Sequence, residues 1–475
     1  MNEQYFCLRD RFALRSWADL PHGLADLKTG NVLVYPEETY AVLLKCTGTV
    51  SAGTEAFTEQ EFPVLFRLLS AGIVTSAKKP LPAPPAYTVP RKYPVRYINR
   101  VHWSVTGKCN YRCRHCYMSA AGCTDEDISL DKIKEIICRM EEAGIMNVSL
   151  SGGEALVRPD FREIVDELTS RGIALRAVYS NGFLVNGELM DFLRSRQLRP
   201  RFVLSFDGTG GAHEWMRGIP GAAEHFRRAA RLLKENGFTF EAEYCLHRGN
   251  ADRLRDSIRY LAQEGCEQVK VNLLTDLGEG EHIAEYCFSP AEAYECFLDY
   301  LPRYYEDGAP LPVLLRGLFR SVGKDRYLIP GCRFTEEINP VDVRVCSHAS
   351  RVMVLSADGR VMPCVALECA GDFSRSFESV LEKPVGEILE GSFYTRVMDT
   401  RLSEYFDAHP ECAACPDRFR CAGGCRARAA IAARSACFLE KDEESCVLYR
   451  GGYYGRLKTL MKSLGIKELE NVPEI

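Results

Sequence analysis

The sequence predicts an α/β fold whose central parallel sheet curls into a partial (β/α)6, TIM-like barrel. Between residues 98 and 275, six short apolar segments alternate with amphipathic segments of helical period. Strands joined by helical crossovers form parallel sheets, and such sheets carry their chemistry at the carboxyl ends of the strands. The predicted strands are His102–Thr106, Asn147–Leu150, Ile173–Tyr179, Arg201–Phe206, Phe238–Cys245 and Gln268–Leu273. The predicted helices are Leu130–Ala143, Asp160–Ser170, Gly187–Arg196, Ala222–Asn236 and Asp252–Glu264.

Residues 1–78 are predicted to form a separate module that precedes this barrel. Alternating patterns predict short strands, and Leu-rich faces predict two helices, the second of which opens with Thr58 and Glu61 at capping-box spacing. Strands followed by such helices favour a winged-helix-like domain. The predicted strand regions are Tyr5–Trp17 and Asn31–Tyr35, and the predicted helices are Glu37–Cys46 and Thr58–Ala71.

The remaining boundaries follow from composition. Residues 79–97 are dense in proline, which neither continues a helix nor fits a central strand, so they are predicted to be a semi-rigid linker. Residues 276–331 are interpreted as a connector, 332–450 as a cysteine-rich domain and 451–475 as a short helix and tail.

Bulk composition excludes several classes of protein. A net charge of −5 and a pI near 6.1 argue against a nucleic-acid-binding surface. No apolar run approaches about 18 residues and the N-terminus lacks a signal-peptide pattern, so a cytoplasmic protein without a membrane span is expected. In a reducing compartment, the 21 cysteines are more readily explained as metal ligands than as disulfides.

Cys109, Cys113 and Cys116 lie within the stretch KCNYRCRHCYM, directly after the first predicted strand. Three thiolates can bind three corners of a four-iron cluster and leave one iron open, whereas a structural zinc site would need a fourth ligand. The C-x3-C-x2-C spacing resembles that of the radical S-adenosylmethionine (SAM) superfamily. The resemblance implies a [4Fe-4S] cluster that binds SAM and generates a 5′-deoxyadenosyl radical, which abstracts hydrogen from a substrate.

The resemblance extends to polar residues at the ends of the next strands. Gly152-Gly153-Glu154 is similar to the family's GGE motif, which contacts the SAM amino group, and Ser180-Asn181 resembles its ribose-binding turn. Ser205 and Arg217 resemble residues that hold the SAM carboxylate and ribose, since Arg suits a carboxylate. Tyr117 resembles the aromatic residue that flanks the adenine. A tight turn, a surface salt bridge and simple packing are the alternatives for these residues.

The cysteines after residue 332 show a second pattern. Cys346 and Cys364 enclose a C-x12-G-x4-C segment, and four further cysteines follow in C-x2-C-x5-C-x3-C spacing. This resembles the SPASM domain, a cysteine-rich domain of radical SAM peptide maturases, and implies two auxiliary [4Fe-4S] clusters; a zinc-binding imitation is the alternative. By that resemblance, auxiliary cluster I would be ligated by Cys346, Cys364, Cys425 and, as the open candidate, Cys332. Auxiliary cluster II would be ligated by Cys412, Cys415, Cys421 and Cys446, with Cys437 competing for the last place.

The N-terminal module resembles the PqqD-like peptide recognition element, in which a leader peptide adds a strand to the module's edge. Together these resemblances imply an enzyme that modifies a ribosomally made precursor peptide, with a flavodoxin or ferredoxin as reductant. Thioether formation is the first hypothesis; carbon–carbon crosslinking, epimerisation and protein-cofactor maturation are alternatives. Val365 follows Cys364 where sulfatase-maturing relatives carry an aspartate, which argues against that subfamily. A non-catalytic iron–sulfur electron carrier is the remoter alternative.

Overall fold

The computed structural model describes residues 4–52, 56–123, 126–330, 343–346, 351–368, 371–391, 393–434 and 437–469. The N-terminal module forms two small sheets, with strand orders β5-β1-β6 and β4-β3-β2-β7. Its elements are β1 (Tyr5–Leu8), β2 (Phe12–Trp17), β3 (Leu20–Asp26), β4 (Val32–Val34), α1 (Glu37–Lys45), β5 (Thr47–Ser51), α2 (Phe62–Ser70), β6 (Val74–Ala77) and β7 (Arg91–Lys92).

The second helix of this module begins at Phe62, four residues later than the capping-box pattern predicts. The Thr58 amide does donate to Glu61 Oε2, at 2.8 Å, but the pair forms a turn ahead of the helix. Pro63 then stands in the first helical turn, where its missing N–H costs nothing.

The proline-dense segment packs against both neighbours. Its strand β7 pairs in parallel with β2, and Tyr93, Val95 and Tyr97 are buried in the same core cluster as Trp17 and the barrel residues. The stacked rings of Trp17 and Tyr93, with centroids 5.4 Å apart, connect the module to the proline-dense segment.

The six predicted barrel strands are all present, each within two residues of its predicted bounds, and they pair in parallel in chain order. The sheet confirms the predicted partial barrel. Its elements are β8 (Arg100–Ser104), α3 (Leu130–Glu142), β9 (Asn147–Ser151), α4 (Phe161–Ser170), β10 (Ala174–Ser180), α5 (Gly187–Ser195), β11 (Arg201–Ser205), α6 (Ala212–Arg217), α7 (Ala222–Glu235), β12 (Phe240–Leu246), α8 (Leu254–Glu264) and β13 (Val269–Leu273).

The outer helices cover the sheet through apolar stripes. In α3, Ile133, Ile136, Ile137 and Met140 recur at helical spacing and are fully buried, and Ser129 caps the helix by accepting the Lys132 amide. Burial of each such side chain contributes about 1.5–3 kcal/mol. The short helix α6 was not predicted, because six residues flanked by Gly211 and Gly218 show too little periodicity.

Two flanking regions extend the barrel sheet to twelve strands, in the order β18-β17-β8-β9-β10-β11-β12-β13-β14-β15-β16-β19. On one side β14 pairs in parallel with β13, and β15 and β16 follow in antiparallel order. On the other side β17 pairs in parallel with β8 and brings the C-terminal region against the first barrel strand. The elements are α9 (Pro290–Glu306), β14 (Val313–Leu315), β15 (Phe319–Val322), β16 (Arg326–Leu328), β17 (Val352–Leu355), β18 (Val361–Met362), α10 (Val385–Glu390), α11 (Phe393–Met398), α12 (Leu402–Ala408), α13 (Pro410–Ala413), α14 (Arg418–Cys421), α15 (Arg426–Ala432), α16 (Glu443–Arg450), α17 (Tyr453–Ser463) and β19 (Lys467–Glu468).

Among the described residues, none of the helices has both the length and the apolar character that crossing a membrane requires.

Candidate active site

The loop after β8, called the cysteine loop below, carries Cys109, Cys113 and Cys116. An N–H group points at the sulfur of each. The Tyr111 amide lies 3.4 Å from Cys109 Sγ, the Ala120 amide 3.4 Å from Cys116 Sγ, and Arg217 Nη1 3.7 Å from Cys113 Sγ. Such donors stabilise negative charge on sulfur. The loop is therefore built to hold thiolates.

Without a bound cation, burial disfavours the negatively charged thiolate form of these cysteines. It raises the pKa of Cys109 to about 12, and the neighbouring Cys113 and Cys116 add to the effect. A bound metal reverses this, because thiolates coordinate metal in place of protons. No three His, Cys, Asp or Glu side chains of the described residues surround a single ion-sized point. The fit to a cluster therefore rests on the chemistry of the donors rather than on a preformed tetrahedron.

The Gly152-Gly153-Glu154 turn lies directly against the cysteine loop. The Gly153 amide donates to Thr106 O at 3.0 Å, and the Glu154 amide donates to Lys108 O at 3.0 Å. A Cβ atom on Gly153 would lie 2.4 Å from Lys108 O, and Gly152 has a φ of +142°. Both glycines are thus needed for the close approach of the two loops.

The Glu154 side chain joins the ends of two strands. Its carboxylate accepts the Asn181 amide at 2.7 Å, the Ser180 hydroxyl at 3.3 Å and the Leu156 amide at 3.2 Å. Burial raises the pKa of Glu154 to about 7 even though these donors oppose the rise. The GGE turn and the Ser180–Asn181 turn, 26 residues apart, therefore form one unit.

Asn181 in turn reaches the cysteine loop, because its Nδ2 donates to Asn110 Oδ1 at 2.8 Å and lies 4.0 Å from Cys109 Sγ. Ser205 ends β11, beside β10 and opposite Glu243 of β12. Within the described chain, the structure gives its hydroxyl no hydrogen bond to the other predicted residues.

Arg217 contacts the cysteine loop through Cys113 and also pairs with Asp207, a residue that was not predicted from the sequence. Asp207 Oδ2 accepts Arg217 Nε at 2.6 Å, and Asp207 Oδ1 accepts the Cys245 amide at 3.1 Å. Asp207 is fully buried. The signal that could have found it is its place two residues after the end of β11, beside the predicted Ser205.

A second missed residue comes from the C-terminal region. Glu368 Oε2 accepts a hydrogen bond from the Tyr117 hydroxyl at 3.3 Å, and the buried Ser104 at the end of β8 lies nearby. Burial raises the pKa of Glu368 to about 7. Nothing in the sequence around residue 368 marks it as a site residue.

Four of the C-terminal cysteines line a single cavity. Tyr405, Lys441 and Tyr449 line it as well, whereas Cys437 is exposed and is not among the lining residues. The four cysteines are Cys412, Cys415, Cys421 and Cys446.

The cysteines predicted for the other auxiliary cluster are only partly brought together. Cys364 and Cys425 pack against the same apolar cluster, whose members include Met362, Leu367 and Phe438. Cys346 packs against the barrel core. Cys332 lies outside the described residues.

Comparisons with known proteins identify two domains in the chain. Residues 103–261 match the radical SAM superfamily, and residues 346–416 match SPASM, an iron–sulfur cluster-binding domain. The chain therefore contains a radical SAM domain in the partial barrel and a SPASM domain after it. The protein is thus an enzyme that carries a radical SAM domain.

Individual relatives have several names. An AdoMet-dependent heme synthase of Methanosarcina barkeri is 26% identical over 360 residues, which are 74% of this chain and 97% of that protein. The antilisterial bacteriocin subtilosin biosynthesis protein AlbA of Bacillus subtilis is 21% identical over 289 residues, 60% of this chain and 59% of that protein. The crystal structure of Streptococcus suis SuiB bound to precursor peptide SuiA matches with a TM-score of 0.64, covering 93% of this chain and 99% of that chain. At 12% identity, this last likeness shows the fold alone.

Proposed function

We propose that this enzyme uses SAM to modify a ribosomally made precursor peptide, and that the modification is a thioether crosslink. The observation that carries the proposal is the contact of the cysteine loop with three groups of polar residues: the GGE turn, Asn181 and Arg217. That arrangement supports a thiolate site, with donors for a charged ligand, at the carboxyl ends of the barrel strands.

In this proposal Cys109, Cys113 and Cys116 hold a [4Fe-4S] cluster. When bound, the cluster supplies the electron that cleaves SAM, and thereby the radical that takes a hydrogen atom from the substrate. Tyr117, Gly152, Gly153, Glu154, Ser180, Asn181, Ser205 and Arg217 bind SAM. The chain's own contribution is to orient SAM and the substrate and to exclude water.

Two auxiliary [4Fe-4S] clusters complete the proposed set of cofactors. The shared cavity supports Cys412, Cys415, Cys421 and Cys446 as one ligand set. The other set is Cys346, Cys364, Cys425 and the candidate Cys332. A flavodoxin or ferredoxin is the proposed reductant.

The N-terminal module offers an edge on which a peptide can add a strand. β4 is the outermost strand of its sheet, and Leu33 and Val34 are 45% and 59% exposed. Tyr35 bonds to His22 and Asp26 bonds to Asn31, so Val32 and Val34 turn their N–H and C=O groups away from β3. These groups suit a precursor peptide that binds by β-augmentation. The SuiB structure, which contains a precursor peptide, and the AlbA relative, which is named for bacteriocin biosynthesis, support a peptide substrate.

The test is anaerobic incubation of the iron-reconstituted enzyme with dithionite, SAM and a peptide encoded by a short cysteine-rich reading frame beside the gene. We expect 5′-deoxyadenosine and a peptide that is two hydrogens lighter and has lost an alkylatable thiol. Unchanged thiols would contradict thioether formation and leave crosslinking between carbons or epimerisation. Absence of 5′-deoxyadenosine would contradict the enzymatic proposal.

A tetrapyrrole is the second candidate substrate, because three relatives named as AdoMet-dependent heme synthases match 69–74% of this chain. The same incubation with an iron-bound tetrapyrrole instead of the peptide separates the two. Formation of heme with no change to the peptide would favour this second candidate.

A further inference from the structure

The guanidinium of Arg217 is fixed by a buried carboxylate on the neighbouring strand end. Asp207 follows β11, Arg217 ends α6, and the Nε–Oδ2 distance between them is 2.6 Å. Asp207 is itself held in place, because its Oδ1 accepts the Cys245 amide and its backbone carbonyl accepts Asn250 Nδ2 at 2.9 Å. The carboxylate therefore has little freedom to move.

This pair remains charged. Burial alone would raise the pKa of Asp207, but the charge of Arg217 outweighs burial and holds that pKa well below its usual range. Burying both charges costs desolvation free energy, which only a close contact and further hydrogen bonds of the kind seen here offset. His213 is also buried and adds no positive charge to the pair, because burial lowers its pKa and favours the neutral imidazole.

The geometry divides the Arg217 donors between two sides. Nε faces Asp207, and Nη1 faces Cys113 Sγ at 3.7 Å. A guanidinium has five N–H donors in a rigid fork, so fixing Nε fixes the direction of the others. The remaining N–H groups of the fork are available, beside Cys113, for the carboxylate of a ligand next to the cysteine loop.

We propose that Asp207 is a positioning residue that sets the Arg217 guanidinium against both Cys113 and the carboxylate of SAM. This inference rests on the proposed function, because it takes SAM as the ligand beside the cysteine loop. Asp207 makes no hydrogen bond to Cys109, Cys113 or Cys116, and in this proposal it acts on SAM only through Arg217.

The test compares Asp207→Asn, Arg217→Lys and the double variant with the wild-type enzyme after iron reconstitution. SAM is titrated against the electron paramagnetic resonance signal of the dithionite-reduced protein, and the change in that signal gives the dissociation constant. Asp160→Asn is the matched control, because Asp160 pairs with the buried Arg158 at 2.7–2.8 Å beside the same sheet without touching the cysteine loop.

We expect Asp207→Asn to keep its iron and its reduced signal in the absence of SAM but to bind SAM at least tenfold more weakly. A charge-assisted hydrogen bond accounts for a change of about that size. The double variant should bind SAM no more than about twofold more weakly than Arg217→Lys, since residues that act as one unit are not additive. The Asp160→Asn variant should bind SAM as the wild type does.

Three results would overturn the inference: unchanged SAM affinity in Asp207→Asn, fully additive losses in the double variant, or loss of iron from Asp207→Asn, which would indicate a structural role only. If Asp207→Asn does not fold, Asp207→Glu keeps the charge and displaces it by one methylene. Unchanged SAM affinity in Asp207→Glu would then overturn the inference. A wild-type protein that assembles no cluster at Cys109, Cys113 and Cys116 would overturn the proposed function itself, and this inference with it.

Discussion

The hydroxyl of Tyr117 donates a hydrogen bond to the carboxylate of Glu368 across 251 residues of sequence, at 3.3 Å. Tyr117 directly follows the last cysteine of the cysteine loop, and Glu368 lies four residues after Cys364 in the SPASM region. The other carboxylate oxygen, Oε1, is buried and has no hydrogen-bond partner among the described residues. The cysteine loop of the barrel and the SPASM region therefore meet at this buried carboxylate.

Glu368→Gln should flatten the dependence of stability on pH. The folded state raises the pKa of Glu368 from 4.5 to about 7, so its contribution to stability is fully present below pH 4.5 and is lost as pH rises through 7. A difference of this size corresponds to roughly 3 kcal/mol. Thermal melts at pH 5 and pH 8 should show a larger drop in Tm for the wild type than for the variant.

Glu387→Gln is the matched control, since Glu387 is an exposed carboxylate of the same region. It should leave the wild-type profile unchanged. Equal pH dependence of Tm in the wild type and Glu368→Gln would show that Glu368 does not titrate between pH 5 and pH 8. Glu154, whose pKa is also about 7, should preserve part of the slope in both proteins.

Gly153→Ala should weaken SAM binding by roughly tenfold or more. The added methyl group would lie 2.4 Å from Lys108 O, so the GGE turn and the cysteine loop would have to separate. A contact this close with a backbone atom cannot be relieved by a side-chain rotation. Equilibrium binding of SAM to the reconstituted protein measures the effect.

Gly187→Ala provides the comparison, because Gly187 begins α5 and its added methyl group meets nothing within 4 Å. Alanine favours a helix over glycine by about 1 kcal/mol, so this variant should bind SAM normally and be slightly more stable. Normal binding in Gly153→Ala would mean that the two loops need not be in contact.

Cys446→Ser should lower the iron content from about twelve to about eight per chain, because one of the three proposed four-iron clusters would lose a ligand. The expectation rests on the cavity that Cys446 shares with Cys412, Cys415 and Cys421. Cys437→Ser, which changes a cysteine outside that lining, should retain the wild-type iron content. Iron and acid-labile sulfide analysis measures the cluster content of each variant. Loss of iron in Cys437→Ser but not in Cys446→Ser would assign Cys437 as the ligand.

Val34→Pro should weaken the binding of a leader peptide at least tenfold while leaving the module folded. The Val34 N–H faces away from β3, so proline removes a donor to an added strand without breaking the existing pairing. Fluorescence anisotropy of a labelled leader peptide from the neighbouring reading frame measures the affinity.

Val34→Ala is the control for the side chain, because it keeps the N–H and removes only part of the exposed apolar surface. A similar loss in both variants would indicate that the side chain, rather than strand addition, carries the binding. Unchanged binding in both would place the peptide elsewhere on the enzyme.

The sequence by itself determined the features that depend on neighbouring residues. Alternation of apolar segments with amphipathic ones predicted all six barrel strands, because burial on both faces of a parallel sheet leaves a local pattern. The spacing of Cys109, Cys113 and Cys116 predicted a thiolate loop for the same reason, since three ligands within eight residues require no other part of the chain.

Only the tertiary structure decided which distant side chains meet. Asp207 and Arg217 lie on different elements, and Glu368 reaches Tyr117 only because β17 pairs with β8 and brings the C-terminal region to the barrel. The cavity likewise includes Cys446 rather than Cys437, although Cys437 is the nearer of the two to Cys425 along the chain. Such contacts depend on how whole elements pack, and a long separation along the chain sets no limit on the final distance in space.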